Sequence, residues 1–300
     1  MAWRGVVIAN PARLSLDRHC CLVDAEEGQV RLAFEDIAYV VFDTPQASLT
    51  SALLARFAEN NVLVVTCDAR HHPNGALLPL QGHHRQTASL RLQMNLGEVV
   101  RKRIWQRLVQ AKIGNQAAVV DMVRGKGTGK ALNAMAARVA SGDPDSIEAR
   151  AARDYFQTMF DDFRRSDDDD LRNAMLNYAY ALLRAGLARA LAAQGFHSAL
   201  GIHHDSAANA FNLADDLIEP WRPLADLHVV RLLATRLSDA GSDLSVADRR
   251  ELARLLVADV RFAEEGKMQM VTGIEYQVDG LFAALESQDA SRLPLPLPVD

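Results

Sequence analysis

The spacing of hydrophobic positions changes near residue 90 of this 300-residue chain. Before that point, short apolar and β-branched runs alternate with turn residues such as Asn10-Pro11, which is typical of strands. One stretch, residues 48–58, instead places its apolar residues on a single helical stripe. The predicted strands are Arg4–Ala9, Arg13–Leu16, Gln29–Phe34, Ile37–Phe42 and Val62–Thr66.

Beyond a boundary at residues 85–95, almost everything up to Leu285 reads as helix, rich in Ala, Leu and Arg. The sequence therefore predicts an α+β chain of two domains: a small β-rich N-terminal domain with one helix, residues 1–90, and a larger all-α domain, residues 91–290. Proline recurs too densely in residues 291–300 for a helix or a central strand, so an extended Pro-rich tail is expected there.

Composition excludes several classes of protein. Hydrophobic residues make up 49% and charged residues 24%, and no apolar run approaches the ~18 residues of a membrane span. No secretory signal opens the chain, so we expect a cytoplasmic protein. The three cysteines, Cys20, Cys21 and Cys67, lack the spacing of a zinc site or a disulfide framework.

Positive charge is concentrated in residues 85–130, although the formal net charge of the chain is -5. This stretch contains ten Lys and Arg residues but only two acidic residues, Glu98 and Asp121, which gives it a net charge of +8. The rest of the chain then carries a net charge of -13. A surface that neutralises a phosphate backbone has this character. A solvated helix face explains the same residues, so both interpretations stay open at this point.

Three other polar clusters have structural explanations. The acidic run Asp167–Asp170 directly precedes a helical pattern and so favours a helix N-terminus over a metal site. The loop Gly125–Gly129 fails as a phosphate-binding loop because Gly129-Lys130 is followed by Ala131, which leaves a flexible interhelical linker. The pairs His71-His72 and His83-His84 lack accompanying ligands and are expected on loop surfaces.

Residues 195–223 carry the polar groups that a structural role does not require. Asp216 and Glu219 share a helix face at i,i+3, so two carboxylates approach each other and need a compensating cation. A divalent metal ion would serve, with His204 as a nitrogen ligand, and this mixture suits Mn²⁺ or Mg²⁺. A third carboxylate is available at Glu148, on a helix with Asp143 as its expected N-cap, although a salt-bridged helix residue is the alternative.

Three segments of the chain resemble a known family, the CRISPR-associated integrase/endonuclease known as the first-numbered Cas protein. The segments are Asn173-Ala174-Met175-Leu176-Asn177-Tyr178-Ala179-Tyr180, Leu200-Gly201-Ile202-His203-His204 and Leu213-Ala214-Asp215-Asp216-Leu217-Ile218-Glu219-Pro220-Trp221-Arg222-Pro223. The sequences of the second and third segments are most similar to the type II form of the family. The resemblance spans the whole chain, from a β-rich N-terminal domain to a helical domain that carries the metal site.

The resemblance implies a catalytic site in which Glu148, His204 and Glu219 bind one Mg²⁺ or Mn²⁺. It implies that Asp216 lies beside these ligands, and Asn177 and Tyr178 become candidate phosphate or substrate-end contacts. The expected activity is transesterification, which inserts captured DNA fragments at the repeat ends of a CRISPR array, with hydrolysis when water replaces the attacking 3′-hydroxyl. With this function the positive stretch becomes a DNA surface. The expected DNA contacts are Arg101, Lys102, Arg103 and Arg222.

The resemblance also implies partners for the chain. These are double-stranded DNA, a second copy that forms a homodimer through the N-terminal domain, the second-numbered Cas protein, and other type II CRISPR proteins in the bacterial cytoplasm. Two other classes of protein are alternatives to this family. The acidic Asp215–Glu219 segment resembles the diphosphate-binding motif of helical isoprenoid synthases, but a second motif on a facing helix is missing. A non-catalytic DNA-binding scaffold would need a broken set of ligands.

Overall fold

A computed structural model describes residues 4–26, 28–78, 86–236 and 243–299 of the chain. The strands are β1 (Arg4–Ile8), β2 (Ala12–Asp17), β3 (Cys20–Ala25), β4 (Gly28–Ala33), β5 (Ile37–Phe42), β6 (Ala47–Leu49), β7 (Leu63–Cys67), β8 (Pro73–Ala76), β9 (Asp259–Phe262) and β10 (Gly266–Gln269). The α-helices are α1 (Ser51–Glu59), α2 (Gln86–Met94), α3 (Glu98–Arg124), α4 (Lys130–Ala136), α5 (Ile147–Met159), α6 (Leu171–Ala193), α7 (Asn212–Leu217), α8 (Arg222–Thr235), α9 (Val246–Ala253) and α10 (Met270–Ser287).

One four-stranded sheet joins the N-terminal part of the chain to the helices. Its order is β1-β5-β7-β8, with β1, β5 and β7 parallel and β8 antiparallel to β7. All six residues of β5 are buried. Because side chains alternate across a strand, Tyr39 and Val41 enter the core shared with the helices, whereas Val40 and Phe42 face the opposite side.

A second sheet and one helix cover that opposite side. The sheet has the order β4-β3-β2-β6, in which only the β2 and β6 pairing is parallel. Leu53 and Phe57 of α1 are fully buried in the core between the two sheets. Thr50 caps α1, because its hydroxyl oxygen accepts a hydrogen bond from the Leu53 backbone N–H at 3.3 Å.

Two long helices form the centre of the helical part. The 23-residue α6 is buried around most of its circumference and packs against α8, α9 and α10. The 27-residue α3 packs against α4, α5 and a single 3-10 turn at Glu219–Trp221. Acidic capping of α6 is confirmed, since the Asp170 carboxylate accepts from the Arg172 backbone N–H at 2.8 Å. The candidate site lies where α3, α5 and the 3-10 turn meet.

Mixed α+β architecture is confirmed, but the expectation of an all-α region at 91–290 is wrong. Strands β9 and β10 form an antiparallel hairpin there, because Gly266 adopts a positive φ of 78° that closes the turn. The Pro-rich tail is packed rather than a loose extension. Leu293 is fully buried, and Leu297 pairs with Arg261 of β9 through backbone hydrogen bonds of 3.1 and 2.8 Å.

Several local expectations are refined by the structure. The Gly125–Gly129 loop connects α3 to α4, and it is closed by Asp121, whose carboxylate accepts from the Gly127 and Gly129 backbone N–H groups. His71 is only partly exposed and donates from Nδ1 to the Asp43 carbonyl at 2.9 Å. The pair His83-His84, and residue 85 at the start of the expected 85–95 boundary, lie outside the described residues. Within the described ranges, no helix combines the length and apolar character that a membrane span requires.

Candidate metal and nucleic-acid site

Glu148 and Glu219 are brought together by elements that are far apart in sequence. Glu148 lies in the first turn of α5, and Glu219 begins the 3-10 turn that follows α7. The ammonium nitrogen of Lys112, at the middle of α3, contacts one carboxylate oxygen of each. Two of the three predicted ligands therefore share a single cation in the structure.

The start of α5 is fixed by an aspartate, although not as expected. Asp143 was predicted as the N-cap, but the helix begins at Ile147 and Ser146 occupies the N-cap position in a left-handed conformation. The Asp143 carboxylate still accepts from the backbone N–H groups of Ile147 and Glu148, at 2.9 and 3.0 Å. These bonds satisfy two of the unpaired N–H groups of the first turn and orient Glu148 toward α3.

Glu219 is ionised although it is almost completely buried. Burial opposes ionisation, but the charges of Lys112 and Arg222 outweigh it and hold the pKa of Glu219 at about 2. Arg222 donates from Nε to Glu219 Oε1 at 2.9 Å. For Lys112, burial likewise opposes the charged form, and the two carboxylates outweigh it and raise its pKa.

Asp216 organises the loop that carries His204. The Asp216 side chain is completely buried, and its two oxygens accept from the backbone N–H groups of Ile202, His203 and His204. His204 also donates from Nδ1 to Asp216 Oδ1 at 2.7 Å. Gly201 allows this close approach, because a Cβ there would lie 2.1 Å from the His204 carbonyl oxygen.

The His204 imidazole is therefore oriented as metal-binding histidines commonly are. A carboxylate that holds Nδ1–H fixes the tautomer and leaves Nε2 as the ligand atom. The hydrogen bond to Asp216, opposed by partial burial and supported by the charge of Glu219, raises the pKa of His204. Asp216 is therefore in direct contact with His204, and the role of these residues at a metal ion stays a prediction.

The donor set fits a divalent metal ion in its chemistry. Carboxylate oxygens and an imidazole nitrogen suit Mg²⁺ or Mn²⁺, and two of these groups already surround a positive charge. As the side chains stand, the described part of the chain gathers no set of three His, Cys, Asp or Glu residues around one point. The Lys112 ammonium lies between the two carboxylates instead.

A pocket of about 260 Å³ adjoins these groups. It is lined by Lys112, Gln116, Ala152, Phe156, Arg165, Tyr180, Glu219, Arg222 and Asp226. The guanidinium carbons of Arg165 and Arg222 lie 5.6 and 4.6 Å from the centre of the Tyr180 ring. Three cationic side chains therefore border a pocket that has room for a phosphate group.

The Arg165 guanidinium group, which lines the pocket, is hydrogen-bonded to neutral side chains and, among the residues that the structure describes, not to a carboxylate. Its two terminal nitrogens donate to the side-chain oxygens of Asn173 and Asn177, at 2.9 and 2.5 Å. Within the described ranges, no carboxylate lies within ion-pair distance of Arg165. Asn177 thus contacts an arginine that lines the pocket, and its expected contact with phosphate or a substrate end stays a prediction.

Tyr178 does not border the pocket. Its side chain is fully buried. It interacts electrostatically with Cys67 and Asp43, on the side of α6 that faces the sheet. Residues two positions apart on a helix point about 200° apart, so Tyr180 reaches the pocket and Tyr178 faces nearly the opposite way. The predicted substrate contact through Tyr178 is at odds with this placement.

The expected DNA contacts divide into two groups. Arg222 lines the 260 Å³ pocket and binds Glu219. Arg101, Lys102 and Arg103 are exposed on the first turns of α3, where Lys102 pairs with Glu98. Arg101 and Lys102 line a second pocket, of about 570 Å³, beside the stacked rings of Trp105 and His203. The +8 stretch is therefore not one surface, because Lys112, Arg107 and Arg124 from the same stretch bind groups within the protein.

Two candidate functional residues, Lys112 and Asp226, were not predicted from the sequence. Lys112 lies eight residues after Ile104 and four after Leu108, and both of these residues are buried. The spacing therefore places a lysine on the apolar face of a helix, which is the sequence signal that could have indicated a buried charge. Asp226 is fully buried and accepts hydrogen bonds from the hydroxyls of Tyr155 and Tyr180. No local pattern indicates that contact, since both tyrosines are on other helices.

Comparisons with known proteins agree on one family. The family model described as "CRISPR associated protein Cas1" matches residues 6–245. A CRISPR-associated endonuclease Cas1 from Neisseria meningitidis is 37% identical over 296 residues, which is 99% of this chain and 96% of the relative. A Cas1 endonuclease from Pyrobaculum aerophilum is 24% identical over 274 residues, 85% of this chain and 90% of the relative.

Solved structures show the same fold at low sequence identity. A casposase bound to its integration product superposes with a TM-score of 0.76 at 19% identity, covering 96% of this chain and 93% of its own. A Cas1 protein from Thermotoga maritima gives a TM-score of 0.73 at 13% identity, with 94% and 97% covered. The fold and the relatives define the class of protein, a nucleic-acid endonuclease.

The chain belongs to the Cas1 family of CRISPR-associated endonucleases. The resemblance stated from the sequence is thus confirmed. The isoprenoid-synthase alternative, already disfavoured by its missing second motif, is excluded. In the structure Asp215 accepts from Arg184 and Asn209, at 2.8 and 2.7 Å, on a different side from Glu219. The non-catalytic scaffold is excluded with it.

Proposed function

We propose that this chain joins captured DNA fragments to the ends of CRISPR repeats at a site formed by Glu148, His204 and Glu219. In the reaction, the 3′-oxygen of the fragment forms a bond to phosphorus as the bond to the departing oxygen breaks. The observation that carries the proposal is the convergence of Glu148 and Glu219 on one cation beside an arginine-lined pocket. The casposase bound to its integration product has this fold.

A divalent ion, Mg²⁺ or Mn²⁺, would be held by Glu148, His204 and Glu219, and when bound it supplies charge stabilisation at the scissile phosphate. The chain's own residues do the positioning. Asp143 fixes the start of the helix that carries Glu148, and Asp216 fixes the imidazole of His204. Arg165 and Arg222 border the pocket in which a DNA phosphate would lie, since guanidinium groups bind phosphate oxygens in pairs.

The test uses labelled double-stranded DNA with Mn²⁺ and single substitutions at the three ligands. We expect Glu148→Gln, Glu219→Gln and His204→Ala to lose cleavage and joining while they still bind DNA. The matched controls are Glu286→Gln and His197→Ala, at exposed positions away from the pocket, which should keep the activity. Full activity in any ligand variant would contradict the assignment of that residue.

Assembly is proposed along with the activity. Solved structures with this fold include a "Cas6-RT-Cas1--Cas2 complex", which supports Cas2 as a partner. Strand β4 lies at one end of its sheet and exposes 54% of Val30, which suits a homodimer contact through the N-terminal domain. Light scattering of the Val30→Asp variant tests the dimer, and a pull-down with the neighbouring CRISPR proteins tests Cas2 and the other type II proteins. Fractionation of the bacterial cell tests the expected cytoplasmic location.

A further inference from the structure

Lys112 is a buried lysine whose position is explained only by its two carboxylate partners. Its residue is 7% exposed and lies among apolar neighbours on α3, where an unpaired ammonium group would be very unfavourable. The contacts with Glu148 and Glu219 cross 36 and 107 residues of sequence. The three side chains therefore form a unit that exists only in the folded protein.

The two carboxylates require a cation between them. Two negative groups that share a partly buried site repel each other unless a positive charge compensates. Arg222 occupies Oε1 of Glu219, so it does not reach the space between the two glutamates. Within the described ranges, Lys112 is the cation that contacts both Glu148 and Glu219.

We propose that Lys112 is an internal counter-ion, which holds Glu148 and Glu219 together before metal binding and is displaced when a divalent cation enters. This inference rests on the proposed metal site. A metal ion bound between the two carboxylate groups would compete with Lys112 for Glu148 Oε1 and Glu219 Oε2, and its charge would repel the ammonium group at contact distance. Lys112 also lines the 260 Å³ pocket, which gives the displaced ammonium group a place to move.

Metal binding is then an exchange of cations rather than an addition. Because the metal ion must replace the two contacts of Lys112, its apparent affinity is lowered. In the absence of the metal ion, the same contacts keep Glu148 and Glu219 close together. Removing the lysine should therefore strengthen metal binding while it weakens the metal-free fold.

The experiment compares Mn²⁺ binding by the wild type and Lys112→Met, without DNA, by isothermal titration calorimetry. Losing a competitor that makes charge-assisted hydrogen bonds should lower the dissociation constant by about tenfold or more. Without Mn²⁺ the variant should melt several degrees below the wild type, and saturating Mn²⁺ should raise its melting temperature more than that of the wild type. Lys126→Met, at an exposed lysine, is the matched control and should behave as the wild type.

A second measurement needs no variant. Acetylation of the wild-type protein, followed by peptide mass spectrometry, reports how accessible each lysine amine is. Lys112 should be protected without Mn²⁺ and become reactive when Mn²⁺ saturates the protein, whereas Lys126 should react equally in both. If Lys112→Met does not fold, this measurement decides.

The possible failures are distinguishable. If the wild type binds Mn²⁺ but a folded Lys112→Met binds it equally or more weakly, the exchange is overturned and the metal site stands. Unchanged reactivity of Lys112 in the Mn²⁺-saturated wild type overturns the exchange as well. If neither protein binds Mn²⁺, the proposed metal site fails, and the exchange fails with it.

Discussion

Asp226 should make the stability of the protein depend on pH in an unusual direction. Its carboxyl group is completely buried, and burial raises its pKa from 3.8 to about 6 although the Tyr180 and Tyr155 hydroxyls donate to it. The folded state therefore holds a proton that the unfolded chain has already released between pH 3.8 and about 6. It follows that the contribution of Asp226 to the free energy of unfolding falls as the pH rises through this range.

The size of the effect follows from the shift. A difference of about 2 pKa units, at 1.36 kcal/mol per unit, corresponds to roughly 3 kcal/mol. Asp226→Asn replaces the carboxyl group by an amide that does not titrate. The free energy of unfolding of the wild type, minus that of the variant, should therefore decrease by roughly 2 to 3 kcal/mol from pH 4 to pH 7.

Urea unfolding of both proteins, at half-unit steps of pH, measures this difference directly. Other groups titrate in both proteins and cancel, so the variant serves as the internal reference. A difference that stays constant over the range, or that grows with pH, would refute the reasoning that burial outweighs the two tyrosine hydrogen bonds.

Three further predictions concern DNA binding and the His204 loop. Reversing the charge at Arg101, Lys102 and Arg103 should weaken DNA binding and reduce the slope of log affinity against log salt by roughly two to three, as measured by fluorescence anisotropy. Arg165→Gln should weaken binding and reduce the same slope by about one. Asp216→Asn weakens four hydrogen bonds to a buried carboxylate, so urea unfolding should show a loss of roughly 3 kcal/mol or more together with lost DNA cleavage.

Each of these has a control or a contrary outcome. Arg13→Gln removes an exposed arginine of β2 and should leave the salt slope unchanged, so an equal effect of Arg13→Gln and Arg165→Gln would indicate a nonspecific charge effect. An unchanged affinity after the triple charge reversal would remove the start of α3 from the DNA surface. Wild-type stability and cleavage in Asp216→Asn would show that the His204 loop does not depend on this carboxylate.

Local patterns predicted the elements that bury residues with a regular period. The bounds of β5 were predicted correctly at Ile37–Phe42, because its uninterrupted apolar run admits few alternatives. The helix expected over 48–58 is present as Ser51–Glu59. The hairpin of β9 and β10 was missed, because its short strands carry charged residues such as Asp259, Arg261 and Lys267 that give no apolar alternation.

The sequence predicted only those residues of the candidate site whose local segments carry a chemical pattern or resemble the known family. Glu148, His204 and Glu219 were candidates from the chemistry of their side chains, and the family resemblance implied that they act as one set of ligands. Lys112 was not, because its role depends on partners 36 and 107 residues away that only the folded chain brings together. Asp226 was missed for the same reason, since its tyrosine partners lie 71 and 46 residues away.

Anomalous diffraction of a crystal soaked in Mn²⁺ tests the proposed metal site most directly. We expect one strong anomalous peak at coordination distance, about 2.1 Å, from oxygens of Glu148 and Glu219 and from Nε2 of His204, with the Lys112 ammonium group moved away. A crystal with no peak there, at a Mn²⁺ concentration that supports DNA cleavage in solution, would contradict it.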